Sequence, residues 1–232
     1  MSTGRCIARI AARWMKGYPL RMPAFRYLFA VDPSLTCSGW VLFRVADGEI
    51  ASVGKIKSAP ASVPLAERLR AIQDSISTIF AKIGLGENDL LVCEAATTMK
   101  DPHNALKVEQ VRTIFESVAR ARLVRVPGRI NPRSVQQEVM GLSGKQVPRA
   151  EVKSTAVKTA EFLYSSALRR LGLADGGEPL SKHQDIVDAM LVGRLALIRI
   201  QAARDGALSI ESMFQSLDRG RGRSWRVKAC GL

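Results

Sequence analysis

The chain has 232 residues and is 47% hydrophobic, enough for one sizeable domain and too apolar for a disordered chain. Lys and Arg number 35 against 21 Asp and Glu, a formal net charge of +14, which favours a polyanion partner: nucleic acid first, an anionic membrane surface second. No apolar run reaches the ~18–20 residues that span a bilayer, and the four cysteines lack C-x-x-C spacing, which argues against a zinc site or a disulfide framework.

Residues 1–26 carry Arg5, Arg9, Arg13, Lys16, Arg21 and Arg26 and no acid, with Ile7, Ile10, Trp14 and Met15 interleaved. Three readings stand side by side: a mitochondrial or plastid transit peptide, a basic arm for phosphates, or an extended start site. A secretory signal is disfavoured because no continuous apolar segment follows the basic residues. The ordered domain is expected over 27–205, with a basic Arg/Gly-containing tail at 206–232. Strands are predicted at 27–32, 39–45 and 49–56, the last two joined by an Asp47-Gly48 turn. Leu65, Leu69, Ile72, Ile76, Ile79, Phe80 and Ile83 recur at three- and four-residue steps and predict a helix ending at Gly84. A short apolar strand, Asp89 to Glu94, precedes a helix over about 104–122 and a further strand at 123–126. Residues 129–153 are loop-rich and basic, with a short helix from Pro132 or Arg133 to Met140. Helices follow at 152–171 and about 184–203. Strands alternating with helices after a hairpin meander give an α/β domain with a mixed sheet.

Four carboxylates stand out. Asp32 and Glu94 each end an apolar strand, where acids are depleted and costly to bury unpaired. Asp185 and Asp188 open the last long helix, three residues apart. Each has an ordinary explanation alone: an Asx-turn for Asp32, a favourable helix dipole for the helical pair. Together they describe acids converging at one sheet edge, where a hard divalent cation relieves their repulsion. An all-oxygen set suits Mg²⁺ or Mn²⁺. Cys37 and Cys93 flank this site by position, but no histidine is paired with either, so nucleophilic chemistry is not indicated. His183, two residues before Asp185, is either an aid to the site or an ordinary loop residue.

The arrangement resembles the RNase H-like nuclease superfamily, and within it the RuvC family of Holliday junction resolvases. Four blocks carry the likeness: Ala30-Val31-Asp32-Pro33-Ser34 with Gly39; Leu91-Val92-Cys93-Glu94 through Lys100, Ala105-Leu106-Lys107, Gln110 and Arg112; Pro132-Arg133 with Val135, Val139 and Gly141; and Asp185-Ile-Val-Asp188-Ala189-Met190. They occur in family order over roughly residues 28–200. The resemblance implies a mixed five-stranded sheet flanked by helices. It implies a metal-dependent endodeoxyribonuclease that resolves four-way DNA junctions by paired nicks, with two Mg²⁺ (or Mn²⁺) ions per site. Asp32, Glu94, Asp185 and Asp188 would be catalytic and metal-ligating, with Lys153 as the active-site lysine. Lys100, Lys107, Arg112, Arg133, Lys145 and Arg149 would contact nucleic acid. Branched DNA is the implied partner, and the helix at 104–122 would build a homodimer. Thr97 stands where bacterial relatives often place an aromatic, with Met99 nearby, and Gln136 replaces a family lysine. The first block and the basic extensions look more like phage-encoded or organellar relatives. The expected location is the cytoplasm of a bacterium or phage-infected host, or an organelle if residues 1–26 are a transit peptide. Two other functions stay open: a nuclease of the same fold acting on flaps, forks or RNA–DNA hybrids, and a non-catalytic structure-specific DNA-binding protein.

Overall fold

The computed structural model describes residues 24–96, 101–142, 147–173 and 179–219, with side chains as far as Phe214 in the last stretch. Five strands form one sheet: β1 (Tyr27–Asp32), β2 (Cys37–Arg44), β3 (Ile50–Lys57), β4 (Asp89–Glu94) and β5 (Arg129–Ile130). Their order is β3-β2-β1-β4-β5. The first three are an antiparallel meander, whereas β4 and β5 run parallel to β1. The five helices of at least ten residues are α1 (Leu65–Ile83), α2 (Pro102–Ala121), α3 (Arg149–Arg170), α4 (Gln184–Asp205) and α5 (Ile210–Arg219).

Alternation along the strands divides the core in two. Phe29, Val31, Trp40, Leu42, Leu91 and Cys93 face α1 and α2. Leu28, Ala30, Val41, Phe43, Leu90 and Val92 face the layer built by α3, α4 and α5. Strand β4 is almost wholly buried, as expected of a parallel strand covered on both sides. The most deeply buried helix is α4, which presses on β1 and β2 where glycine permits it. A Cβ on Gly193 would lie 2.1 Å from the Phe43 ring, and one on Gly39 would lie 2.0 Å from the Asp185 carbonyl oxygen.

Two expectations need correction and one is refined. The run 123–126 is not a strand: Leu123 has a left-handed φ of 61°, and only Arg125 forms an isolated parallel bridge with Leu90. The fifth strand comes four residues later, at Arg129–Ile130. The expected short helix from Pro132 is present, as one helical turn at Pro132–Ser134 that continues into a π-helical turn over Val135–Val139. Finally, the packed domain extends past both expected boundaries. Phe25 is buried and the Arg26 guanidinium pairs with Asp89 at 2.6 Å. At the other end, Ile210 and Phe214 of α5 are buried against the α4 side of the core.

Candidate active site

Strand alternation aims the first two carboxylates. Asp32 follows Leu28 and Ala30, and Glu94 follows Leu90 and Val92, so both side chains fall on the α4 side of the sheet. Val31 is paired with Cys93, which makes Asp32 and Glu94 the next neighbours on adjacent parallel strands. Across the other edge, Asp32 is paired with Gly39 and Gly39 with Lys55. A single transverse row therefore runs Lys55, Gly39, Asp32, Glu94. The gap over Gly39 is filled by the first turn of α4, which brings Asp185 and Asp188 down onto that row.

The electrostatics reflect the crowding. Asp32 is held well above the ordinary carboxylate range, first by burial, then by Glu94, Asp188 and Asp185. Glu94 is pushed up to about 7 by burial and by Asp188, against the opposing pull of its hydrogen bond with Asp32 and of Arg112. Asp188 is raised by burial and by Asp185, and pulled down by a hydrogen bond from the Gln184 amide (2.8 Å) and by Lys153 and Arg149. Burial and mutual repulsion thus disfavour Asp32 and Glu94 both standing ionised in the metal-free site. Among the described residues, no three His, Cys, Asp or Glu side chains are closed up at metal-ligand spacing. What the four supply is an all-oxygen donor set whose negative charge the neighbouring cations only partly offset, the chemistry that suits a hard divalent cation.

Sequence reading missed two contributors. The Lys55 ammonium lies 3.6 Å from an Asp185 carboxylate oxygen and donates to the Lys182 carbonyl at 3.3 Å. Gln184 anchors Asp188. The signal for Lys55 is its cross-strand position opposite Gly39, which appears only once the β2/β3 register is known. Cys37 hydrogen-bonds Asp185, but burial first and that contact second raise its thiol pKa. Burial does the same to Cys93, so neither is an activated nucleophile.

The expected DNA contacts divide. Lys153 and Arg149 are exposed at the start of α3, within electrostatic reach of Asp188. Lys107 lines an open cleft beside the β1–β2 loop, and Arg133 is exposed at the start of the turn after β5. Arg112 is a correction: it is 2% exposed, donates to the Glu94 carbonyl at 2.6 Å and pairs with Glu109, so it braces the strand and has no surface to offer a phosphate. Lys100 and Lys145, like Thr97 and Met99, lie outside the described residues.

No protein-family model matches the chain. Over 87 residues, 37% of its length, it is 32% identical to the crossover junction endodeoxyribonuclease RuvC of Erythrobacter litoralis. The matched stretch spans about half (51%) of that relative. Two solved structures share the fold. One is Thermus thermophilus RuvC, with TM-score 0.55 and 18% identity, covering 78% of this chain and 97% of that one. The other is T. thermophilus RuvC in complex with a Holliday junction substrate, with TM-score 0.53 and 18% identity, covering 78% and 96%. Over most of its length the chain therefore has the fold of these RuvC structures, an RNase H-like mixed sheet, and over the matched stretch it is similar in sequence to one RuvC.

Proposed function

We propose that the protein is a metal-dependent endonuclease that resolves four-way DNA junctions by paired nicks in the cytoplasm of a bacterium or phage-infected host. The observation that carries this reading is the convergence of Asp32, Glu94, Asp185 and Asp188 on one side of the sheet in a chain of net charge +14. A protein that only bound DNA would gain nothing from four anions facing phosphates. When bound, two Mg²⁺ or Mn²⁺ ions supply activation of water and stabilisation of the leaving oxygen in phosphodiester hydrolysis. The four carboxylates would hold them. Lys153 and Arg149, already acting on Asp188, meet the phosphate on the open side of the site, and Gln184 fixes the Asp188 carboxylate. Lys55 neutralises Asp185 in the metal-free protein. Pairing of two subunits through α2 would set two such sites on opposite strands of one junction.

The test is cleavage of a synthetic four-way junction beside a matched linear duplex, with and without Mg²⁺. Symmetric nicks in the junction alone, and only with metal, are expected. Asp32→Asn and Asp188→Asn should each lower cleavage at least ~100-fold while junction binding stays intact, since both carboxylates act on the reacting centre. Normal cutting by both variants would remove these residues from the metal site. Metal-dependent cutting of forks or hybrids in preference to junctions would keep the nuclease and discard the resolvase.

A further inference from the structure

On the α1/α2 side of the sheet, a cleft of about 470 Å³ opens between the β1–β2 loop that follows Asp32, the segment after β3 and the first turns of α2. At its base lies Arg68 of α1, nine-tenths buried. Its Nε and Nη2 donate to the Ser58 hydroxyl at 3.2 and 2.8 Å, and Nη2 also reaches the Leu35 carbonyl at 3.4 Å. Its other terminal nitrogen makes no hydrogen bond to the described residues and is not sealed from solvent. Among the described residues no carboxylate forms an ion pair with it. A buried guanidinium held only by neutral oxygens is a charge whose counter-ion comes from elsewhere.

The surroundings specify the counter-ion. Lys107 adds a second cation, and Ser34, Thr36 and Asn104 add neutral polar groups. Among the described residues no acid lines the cleft. Asp101, the nearby acid in sequence, is engaged as the N-cap of α2. A guanidinium fork with an ammonium beside it matches a phosphate, and the open shape admits a continuous strand rather than a closed small-molecule ligand. The cleft is also tied to the reacting centre: Ser34 and Thr36 follow Asp32 by two and four residues, and α2 is the helix that follows Glu94.

We propose that this cleft is a phosphate subsite in which Arg68 and Lys107 take a backbone phosphodiester of the DNA strand beside the one presented to the carboxylates. The inference rests on the nuclease reading but is tested apart from it. Full-length protein carrying Asp188→Asn, to block cutting, is titrated with a four-way junction and with a linear duplex over a salt series. Arg68→Gln should weaken both about tenfold near 0.1 M salt and flatten the slope of log affinity against log salt by about 0.9, the signature of one lost phosphate contact. Because Arg68 also ties the loop to the β3 end, Ala61→Glu is the deciding variant. It sets a carboxylate at the exposed rim and leaves every Arg68 hydrogen bond in place. Ala61→Glu should weaken binding as Arg68→Gln does, and Ala61→Gln should not. A folded Ala61→Glu variant with wild-type affinity and slope overturns the subsite. Thermal protection of the Arg68 protein by inorganic phosphate, with DNA binding unchanged in both variants, also overturns it in favour of a free anion. Equal binding of junction and duplex by the parent protein would sink the resolvase reading, while the slope comparison on duplex still judges the subsite.

Discussion

Glu94 and Asp89 stand at opposite ends of the same strand and show what partners do for a carboxylate. Asp89 is fully buried, yet it accepts from Arg26 and from the backbone N–H groups of Tyr27 and Gly86. Glu94 has a second carboxylate as its neighbour instead of a cation and sits near 7. The sign of the consequence follows from linkage. The folded state holds a proton that the unfolded chain has released, so stability is full below the ordinary glutamate range. It falls as pH rises toward about 7 and is flat above that. Glu94→Gln removes this loss. Thermal unfolding of the metal-free variant should therefore show a gain on the order of 2–3 kcal/mol over wild type at pH 8 and almost none at pH 4. A gain of equal size at both pH values would mean that packing, and not charge, is responsible. The same comparison shows where sequence reading reached its limit. An acid at a strand end is visible in the chain, but whether cations and amides surround it is not. Arg112 failed for that reason: it sits among basic residues on a helix, and only the structure turns it inward to the Glu94 carbonyl.

At the level of elements, the site depends on how closely α4 approaches the sheet. Gly39 and Gly193 are the two points where a single methyl group would push the helix away. Both Gly39→Ala and Gly193→Ala should destabilise the fold by about 1–3 kcal/mol, the usual cost of overpacking a core. They should differ in activity. Gly39→Ala displaces the Asp185 carbonyl and should cut junction cleavage at least ~10-fold, whereas Gly193→Ala strains the helix two turns away from Asp185 and should leave turnover of the folded protein near normal. Similar losses of activity in both would show that the whole helix moves as a rod. The strands, α1, α2 and α4 were legible because apolar runs and three- and four-residue stripes are local signals. The segment after α2 was not. Leu123 to Val126 has strand composition, but Leu123 takes a left-handed turn, and beyond one isolated bridge at Arg125 strand pairing waits until Arg129. Nor was Lys55, whose place beside Asp185 is a property of register between strands.

Across the whole molecule, the domain reaches beyond the signal that sequence gives for it. Helix α5 has ten residues after a glycine-containing break and only two buried anchors with described side chains, Ile210 and Phe214, so its periodicity is too short to stand out. Its packing says it belongs to the fold. Ending the chain after residue 205 should lower stability by about 3–5 kcal/mol, the scale of losing a buried aromatic with its neighbours, whereas ending it after residue 219 should leave the melting temperature close to that of the full chain. Equal stability of the two truncations would make α5 an accessory. The raised pKa values of Asp32 and Glu94 carry a further consequence for the molecule as a chemical system. A cation bound by these carboxylates would favour their ionised forms, so loading the site would release protons to the solution. In calorimetry, the apparent heat of Mg²⁺ binding should vary with the ionisation enthalpy of the buffer, and apparent affinity should weaken as pH drops below about 7. A nuclease of the kind proposed would respond to the acidity of its surroundings before it met its substrate.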